Sequence, residues 1–306
     1  MGHKAVVFGS YVVDLMSRAP HLPVPGETVR GSLFKMGPGG KGFNQGVAAH
    51  RAGADVTMIT KVGKDAFGQM ALDTMQNFGM STEHILVHPT EPTGTALILV
   101  DEQTSQNSIL VVAGSCGDIT SDDIQKLTPV LAGCNFLLTQ LETNLDAVEK
   151  AVEIAFQSGA KVILNTAPVQ PVSAQLLSRV YLITPNEVEA QILTGIEIAD
   201  EASAEKAAQC FFEQGVENVI ITLGSRGAYV DTKDRRGILP VPKVKVLDTT
   251  GAGDAFNGGL LTALTEGKDI WEAAEFANRL AALSIQRMGT SVAMPTRAEI
   301  DAGTLL

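Results

Sequence analysis

An aspartate inside a glycine-rich turn carries the strongest chemical signal in the chain: Asp254, in Asp248-Thr249-Thr250-Gly251-Ala252-Gly253-Asp254-Ala255-Phe256-Asn257-Gly258-Gly259. The turn lies between a strand-like run (residues 243–247) and a helix-like run (residues 255–265). A glycine-rich turn that opens a helix presents bare backbone N–H groups, and the helix dipole adds positive potential, so the turn suits an anion. A carboxylate beside a phosphate makes sense where a hydroxyl between them must lose its proton. The segment therefore points to phosphoryl transfer to an alcohol. Asp254 would be the general base, and Gly251, Ala252 and Gly253 would line the charge-stabilising hole. The bland alternative is a helix start with an acidic first-turn residue.

A second glycine-rich turn reads Gly37-Pro38-Gly39-Gly40-Lys41-Gly42-Phe43-Asn44. Its Gly37, Gly39 and Gly42 match GxGxxG before a helix, but a dinucleotide-binding turn follows the first strand. Here the first strand leads instead into Ser10-Tyr11-Val12-Val13-Asp14. A Walker A loop would need Gly at 35 and Ser or Thr at 42, where the chain has Lys35 and Gly42. The turn reads better as a backbone-lined surface for a small polar ligand, with Lys41 and Asn44 donating to its hydroxyls. Asp14, at the end of the first strand, and Glu142, after the strand at 136–140, lie at the edge where ligands bind; carboxylates accept well from paired sugar hydroxyls, though each alone reads as an ordinary surface turn residue. Asn186-Glu187-Val188-Glu189 opens a helix, where its carboxylates suit a hydrated Mg²⁺ or serve as ordinary first-turn acids. Thr222-Leu223-Gly224-Ser225-Arg226-Gly227 is a strand end and a glycine turn, able to approach nucleotide phosphates or simply to close a hairpin. His84 and His88 have metal-ligand helical spacing, but Pro89 and Pro92 make the segment loop or strand, so the pair is set aside.

The elements that must hold these residues alternate. Strand-like runs at 5–9, 56–62, 136–140, 162–165, 180–184 and 219–223 interleave with helix-like runs at 44–54, 67–78, 145–156, 187–193 and 202–214. Two helices, 255–265 and 270–287, close the chain. This order predicts a mostly parallel sheet with helices on both faces. Residues 20–36 and 94–112 interrupt it with β-hairpin material, which predicts a small sheet lying as a lid over the strand C-termini. A lid keeps water from a phosphoryl donor.

Composition narrows the class. The 306 residues are 45% hydrophobic and 19% charged, as in a soluble globular protein. The net charge of −11 disfavours nucleic acid and anionic membranes as partners. No apolar run approaches the ~18 residues needed to span a bilayer, and the N-terminal apolar run is too short for a signal peptide. Three scattered cysteines, Cys116, Cys134 and Cys210, fit a reducing compartment without a disulfide framework.

In this order along essentially the whole chain, the segments resemble the ribokinase (PfkB-type) carbohydrate kinase family. The specific features are the DTTGAGD run, Gly39 to Asn44, Asn186 to Glu189 and Thr222 to Gly227. Leu22-Pro23-Val24-Pro25-Gly26-Glu27-Thr28 looks like ribokinases in particular. So does Gln45-Gly46-Val47-Ala48-Ala49, although Gly46 stands where the family usually has Ala or Ser. The resemblance implies one domain over residues 1–306 with the family's fold: a three-layer α/β/α, mostly parallel sheet and a β lid from about 13–37 and 94–112. It implies an ATP-dependent sugar kinase in which Asp254 is the catalytic base and Asp14, Gly40, Lys41, Asn44 and Glu142 hold the sugar. Asn186, Thr222, Gly224, Ser225, Gly227 and Asn278 would border the nucleotide, with Glu189 toward Mg²⁺. Asp248, Thr250, Ser284 and Gly289 would surround a monovalent cation, K⁺. A cytoplasmic homodimer paired through its lids would follow. Ribokinases usually carry Asn two residues before the sugar-binding Asp; here Val12 offers only an apolar wall. A hydroxyl set against it without a partner costs about 1–3 kcal/mol, which favours a deoxyribose-like sugar over ribose. Another sugar, such as a ketohexose, and a non-catalytic sugar or nucleotide sensor on the same fold are the competing expectations.

Overall fold

Ala5, Val6, Val7 and Phe8 are apolar at every position, as a strand covered on both faces must be. In the computed structural model of the chain, which describes residues 3–104 and 106–304, they form the inner strand β1 (Ala5–Phe8). The chain then enters a small sheet through β2 (Val12–Ala19) and β3 (Leu33–Gly39). It returns by α1 (Lys41–Arg51), β4 (Val56–Gly63), α2 (Ala66–Asn77) and the edge strand β5 (Ile85–His88), and revisits the small sheet with β6 (Thr93–Asp101) and β7 (Asn107–Gly114). Next come α3 (Ser121–Ala132), β8 (Phe136–Thr139), α4 (Leu145–Gln157), β9 (Lys161–Leu164), α5 (Ala174–Leu177) and β10 (Leu182–Ile183). After α6 (Glu187–Thr194) and α7 (Glu201–Glu213), strands β11 (Val219–Thr222), β12 (Ala228–Asp231) and β13 (Arg236–Leu239) follow. Helices α8 (Ala252–Thr265), α9 (Ile270–Ser284) and α10 (Arg297–Ala302) finish the chain.

The large sheet has nine strands in the order β13-β12-β11-β10-β9-β8-β1-β4-β5. All its pairings are parallel except those of β12 with β11 and β13. Alternation along β1 defines the layers. Ala5 and Val7 face a core shared with α1, α2, α8 and α9, while Val6 and Phe8 face one shared with α3, α4 and α7. The small sheet, ordered β3-β2-β6-β7, joins the two interruptions through the parallel β2–β6 pair.

Helix α8 is buried from Asp254 to Thr265, and two adjacent glycines explain how. A Cβ at Gly258 would overlap the Cβ of Ala48 on α1 and lie 2.7 Å from the Gln45 carbonyl oxygen. A Cβ at Gly259 would lie 3.1 Å from the Ala277 Cα on α9. With side chains absent there, α1 and α8 close directly on each other, and their first turns meet.

Three expectations need correction. Residues 243–247 form no strand: Val246 and Leu247 are exposed, and the segment is tied down by Leu247 N and Asp248 N donating to Ile285 O. Pro240 and Pro242 close off the chain directly after β13, and among the described residues none at 243–247 joins a sheet. Asp14 does not end the first strand, which stops at Phe8; it is the third residue of the lid strand β2. Gly37, Pro38 and Gly39 are not turn residues but the end of β3, so the turn reduces to Gly40, the N-cap of α1 at φ +94°. Helix α3 and strand β5 were not anticipated from the sequence.

Candidate active site

Most helices of this chain carry a side-chain cap: α2, α3, α5, α6, α7, α9 and α10 each begin at a residue whose side chain accepts from the first turn. Helices α1 and α8 differ. Both start at a glycine of positive φ, Gly40 and Gly251, with no side-chain cap. The α8 turn uses Ala252 N toward Thr249 O (3.2 Å) and Ala255 N toward Gly251 O (2.8 Å). The amides of Gly253 and Asp254 between them belong to a first turn whose natural acceptor is an anion. For α1 the acceptor comes from far along the chain: Lys41 N donates to Glu142 Oε2 at 2.9 Å, and Ser10 Oγ donates to the same oxygen.

The glycines at 39, 40 and 42 make this docking fit. A Cβ at Gly40 would come within 2.9 Å of Ser10 O, Tyr11 Cα and Val12 N, and one at Gly42 within 2.6 Å of Gly9. At Gly39 it would overlap the Asp14 carboxylate. These glycines let the start of α1 press onto the β1–β2 link, with Asp14 lying over Gly39.

Asp254 stands in the first turn of α8, buried. Asn44 Nδ2 donates to its Oδ2 and Gln45 Nε2 to its Oδ1, each at 3.0 Å. Burial pushes its pKa above the usual carboxylate range, opposed by Lys41 and the two amides. Burial likewise raises Asp14 to about 7, with Glu142 and Asp254 adding to the rise. Burial works against the charged Lys41 ammonium, but Asp254, Glu142, Glu189 and Asp14 outweigh it and hold its pKa above the ordinary lysine value. Three carboxylates and one lysine thus converge where β1, β2, α1 and α8 meet, with Gly40 and Asn44 beside them. Val12 lies on the same face of β2 as Asp14 but is buried, clustered with Ala96 and Cys116 at the lid root.

A second group gathers along the carboxyl ends of β10 and β11. Asn186 forms an isolated parallel bridge with Thr222, and the 3₁₀ turn of Gly224, Ser225 and Arg226 leads to Gly227. Asn278 on α9 reaches this edge, donating to Leu239 O (3.4 Å) and Pro240 O (3.3 Å). Glu189 is spent locally. Its Oε2 accepts from Asn186 N (3.0 Å) and Thr166 Oγ1 (2.9 Å), and its Oε1 from Asn186 Nδ2 (2.9 Å).

A third group surrounds Asp248. Its Oδ1 accepts from Thr250 N (3.0 Å) and Thr250 Oγ1 (2.7 Å), and its Oδ2 from Gly289 N (3.0 Å). Burial works to raise its pKa, but these bonds and the charge of Arg18 hold it below the carboxylate range. Ser284 is buried and donates to Ala281 O in its own helix (2.9 Å), not to Asp248.

Sequence reasoning missed Ser10 and the role of Gln45. The available signal was helical phase: with α1 beginning at Lys41, Asn44 and Gln45 both fall in its first turns. His88, one of the two histidines set aside in the sequence, ends strand β5 with its Nε2 3.0 Å from Asp118 Oδ2.

Comparison with known proteins adds a frame. A model described as pfkB family carbohydrate kinase matches residues 3–297. The chain is 43% identical over 299 residues to a ribokinase of Haemophilus influenzae, covering 98% of this chain and 97% of that protein. It is 34% identical over 291 residues to a deoxyribokinase of Salmonella typhi, covering 95% of each. Among solved structures, that of Arabidopsis thaliana ribokinase complexed with ribose and ATP superposes with a TM-score of 0.91 at 27% identity, covering 99% of both chains.

Proposed function

The chain belongs to the pfkB family of carbohydrate kinases and is a sugar kinase, and from that premise we propose that it moves the terminal phosphate of ATP to a primary hydroxyl of a pentose, ribose or 2-deoxyribose. The observation that carries this reading is the placement of Asp254. A buried carboxylate, gripped on both oxygens, stands in the uncapped first turn of α8 beside the Asp14–Lys41–Glu142 group. A sugar held by Asp14, Gly40, Lys41, Asn44 and Glu142 presents its hydroxyl to Asp254, which takes the proton as the oxygen attacks. The first-turn amides of Gly253 and Asp254, in the hole lined by Gly251, Ala252 and Gly253, face the charge that develops on the phosphoryl group. Asn186, Thr222, Gly224, Ser225, Gly227 and Asn278 border the nucleotide.

The residues fit the ions unequally. Asp248, held ionised with the Thr250 hydroxyl beside it, is a hard oxygen donor set suited to a monovalent cation such as K⁺, near Gly289. Ser284 lies in the adjoining end of α9. Mg²⁺ would offset phosphate charge; Glu189, with both oxygens occupied, serves it only through water, in keeping with an ion that retains its waters. Pairing of two lids in a cytoplasmic homodimer completes the reading.

Val12 decides between the pentoses. No side-chain donor or acceptor at that position meets a sugar hydroxyl, so 2-deoxyribose is the favoured substrate. The test is sugar-dependent ADP release from MgATP with and without K⁺, across ribose, 2-deoxyribose, arabinose, xylulose, fructose and a nucleoside. We expect a pentose to lead, 2-deoxyribose to exceed ribose in kcat/KM, and Val12→Asn to reverse that order. Fructose or the nucleoside leading would overturn the pentose assignment, and ribose leading would overturn the role given to Val12.

A further inference from the structure

Asp254 is the end of a buried chain of side-chain amides whose direction is set, through Asn165, by a main-chain carbonyl. Thr184 O can only accept, and it takes a hydrogen bond from Asn165 Nδ2 at 2.9 Å. The Asn165 oxygen must therefore face the other way, where it accepts from Gln45 Nε2 at 3.1 Å. Gln140 Nε2 donates to Gln45 Oε1 at 2.6 Å, so the oxygen of Gln45 is also committed. One orientation remains for the Gln45 amide: its NH₂ group divides its two protons between Asn165 Oδ1 and Asp254 Oδ1. Gln45, Gln140 and Asn165 are all buried, so water does not compete for these bonds. Gln140 and Asn165 follow β8 and β9 directly, and thus sit at the same sheet edge as the site.

We propose that Gln45 is a positioning residue for Asp254, its amide locked by Gln140 and Asn165 into the one orientation that donates to the carboxylate. The inference rests on Asp254 being the general base. A base must be ionised before it can take a proton, and burial disfavours that form. Two donors, one on each oxygen, restore it and fix the plane of the carboxylate. A flipped Gln45 would set its oxygen against Asp254 and do the opposite. Asn165, anchored on Thr184 O, opposes that flip without touching Asp254, and Gln140 adds to the preference by donating to the Gln45 oxygen.

The test is the pH dependence of kcat for Gln45→Met and Gln140→Met, which keep side-chain length while removing the amide. Losing one charge-assisted donor from Gln45 should lower kcat at neutral pH about 10-fold or more and move its acidic limb up by about one pH unit, with little change in KM for ATP. Gln140→Met should move the limb the same way by less, because Gln45 stays but is free to turn. An acidic limb that stays in place in Gln45→Met, whatever its melting temperature, overturns the proposal. Should Gln45→Met fail to fold, Gln140→Met decides by the same criterion. Asp254→Asn separates this claim from the one beneath it. If that variant keeps wild-type kcat, the base assignment itself fails; if it is inactive while the limb of Gln45→Met is unmoved, only the role of Gln45 fails.

Discussion

With Asp14 holding the sugar as proposed, it is the side chain through which pH would act on sugar binding. Burial, then Glu142 and Asp254, raise its pKa from 3.8 to about 7. As a carboxylate it is an acceptor for paired hydroxyls; as a neutral acid it has less to offer them. Sugar affinity should therefore rise as pH goes from about 6 to 8 and then level off, with a proton released on binding below neutrality. Calorimetric titrations in two buffers of different ionisation enthalpy measure that proton, and equal heats in both would refute the role given to Asp14. The sign for stability is opposite. The folded, sugar-free protein holds a proton on Asp14 that the unfolded chain gives up near 3.8, so this group costs stability as pH rises from about 4 to 7. At this scale the sequence was partly legible. Asp254, Lys41, Asn44 and Glu142 stood out because glycine turns and strand ends are where such residues meet ligands. The grip of Gln45 on Asp254 and of Ser10 on Glu142 did not, because each joins segments more than a hundred residues apart and nothing in local spacing encodes it.

Helices α1 and α8 form the site by touching, and their contact is the element most open to disturbance. Gly258→Ala would push its methyl into Ala48 and the Gln45 carbonyl, and neither backbone can yield without parting the two first turns. Overpacking of this kind costs about 1–3 kcal/mol. Both melting temperature and kcat should fall, the latter because Asn44 and Gln45 are carried away from Asp254. A Gly258→Ala enzyme with an unchanged melting curve and full turnover would show that α1 has slack at this contact. The alternation of strands and helices was readable from apolar runs and turn residues, since a sheet covered on both faces leaves continuous apolar strands. What escaped has physical causes. Val244, Val246 and Leu247 look like strand material, but no neighbouring strand lies beside them and the chain anchors them to Ile285 instead. Helix α3 sets Ile124, Leu127, Val130 and Leu131 on the core at helical spacing behind a Thr120–Asp123 capping box, but Pro129 within it reads locally as a helix breaker.

At the scale of the whole molecule, the lid presents an apolar face to solvent. Phe34 is 63% exposed and Leu110 61%, and the register sets Met36, Leu97 and Val112 on the same face of the lid. A patch of that kind marks an interaction face, and the edge strand β7 beside it has ladder groups to offer. Lid-to-lid pairing of two copies predicts that sedimentation equilibrium at micromolar concentration gives a dimer, and that Leu110→Lys gives a monomer with its secondary structure intact. A Leu110→Lys protein that stays dimeric would place the interface elsewhere. The bond between Asn44 and Asp254, which joins positions 210 residues apart, has a consequence for how the enzyme comes into being. A ribosome adding about 5–20 residues per second needs roughly 10–40 seconds to get from one partner to the other. Throughout that interval the nascent chain carries α1 with the surface meant for α8 uncovered. The growing polypeptide is thus both inert and sticky until its final quarter has left the exit tunnel, and that is the period in which a chaperone would have most to shield.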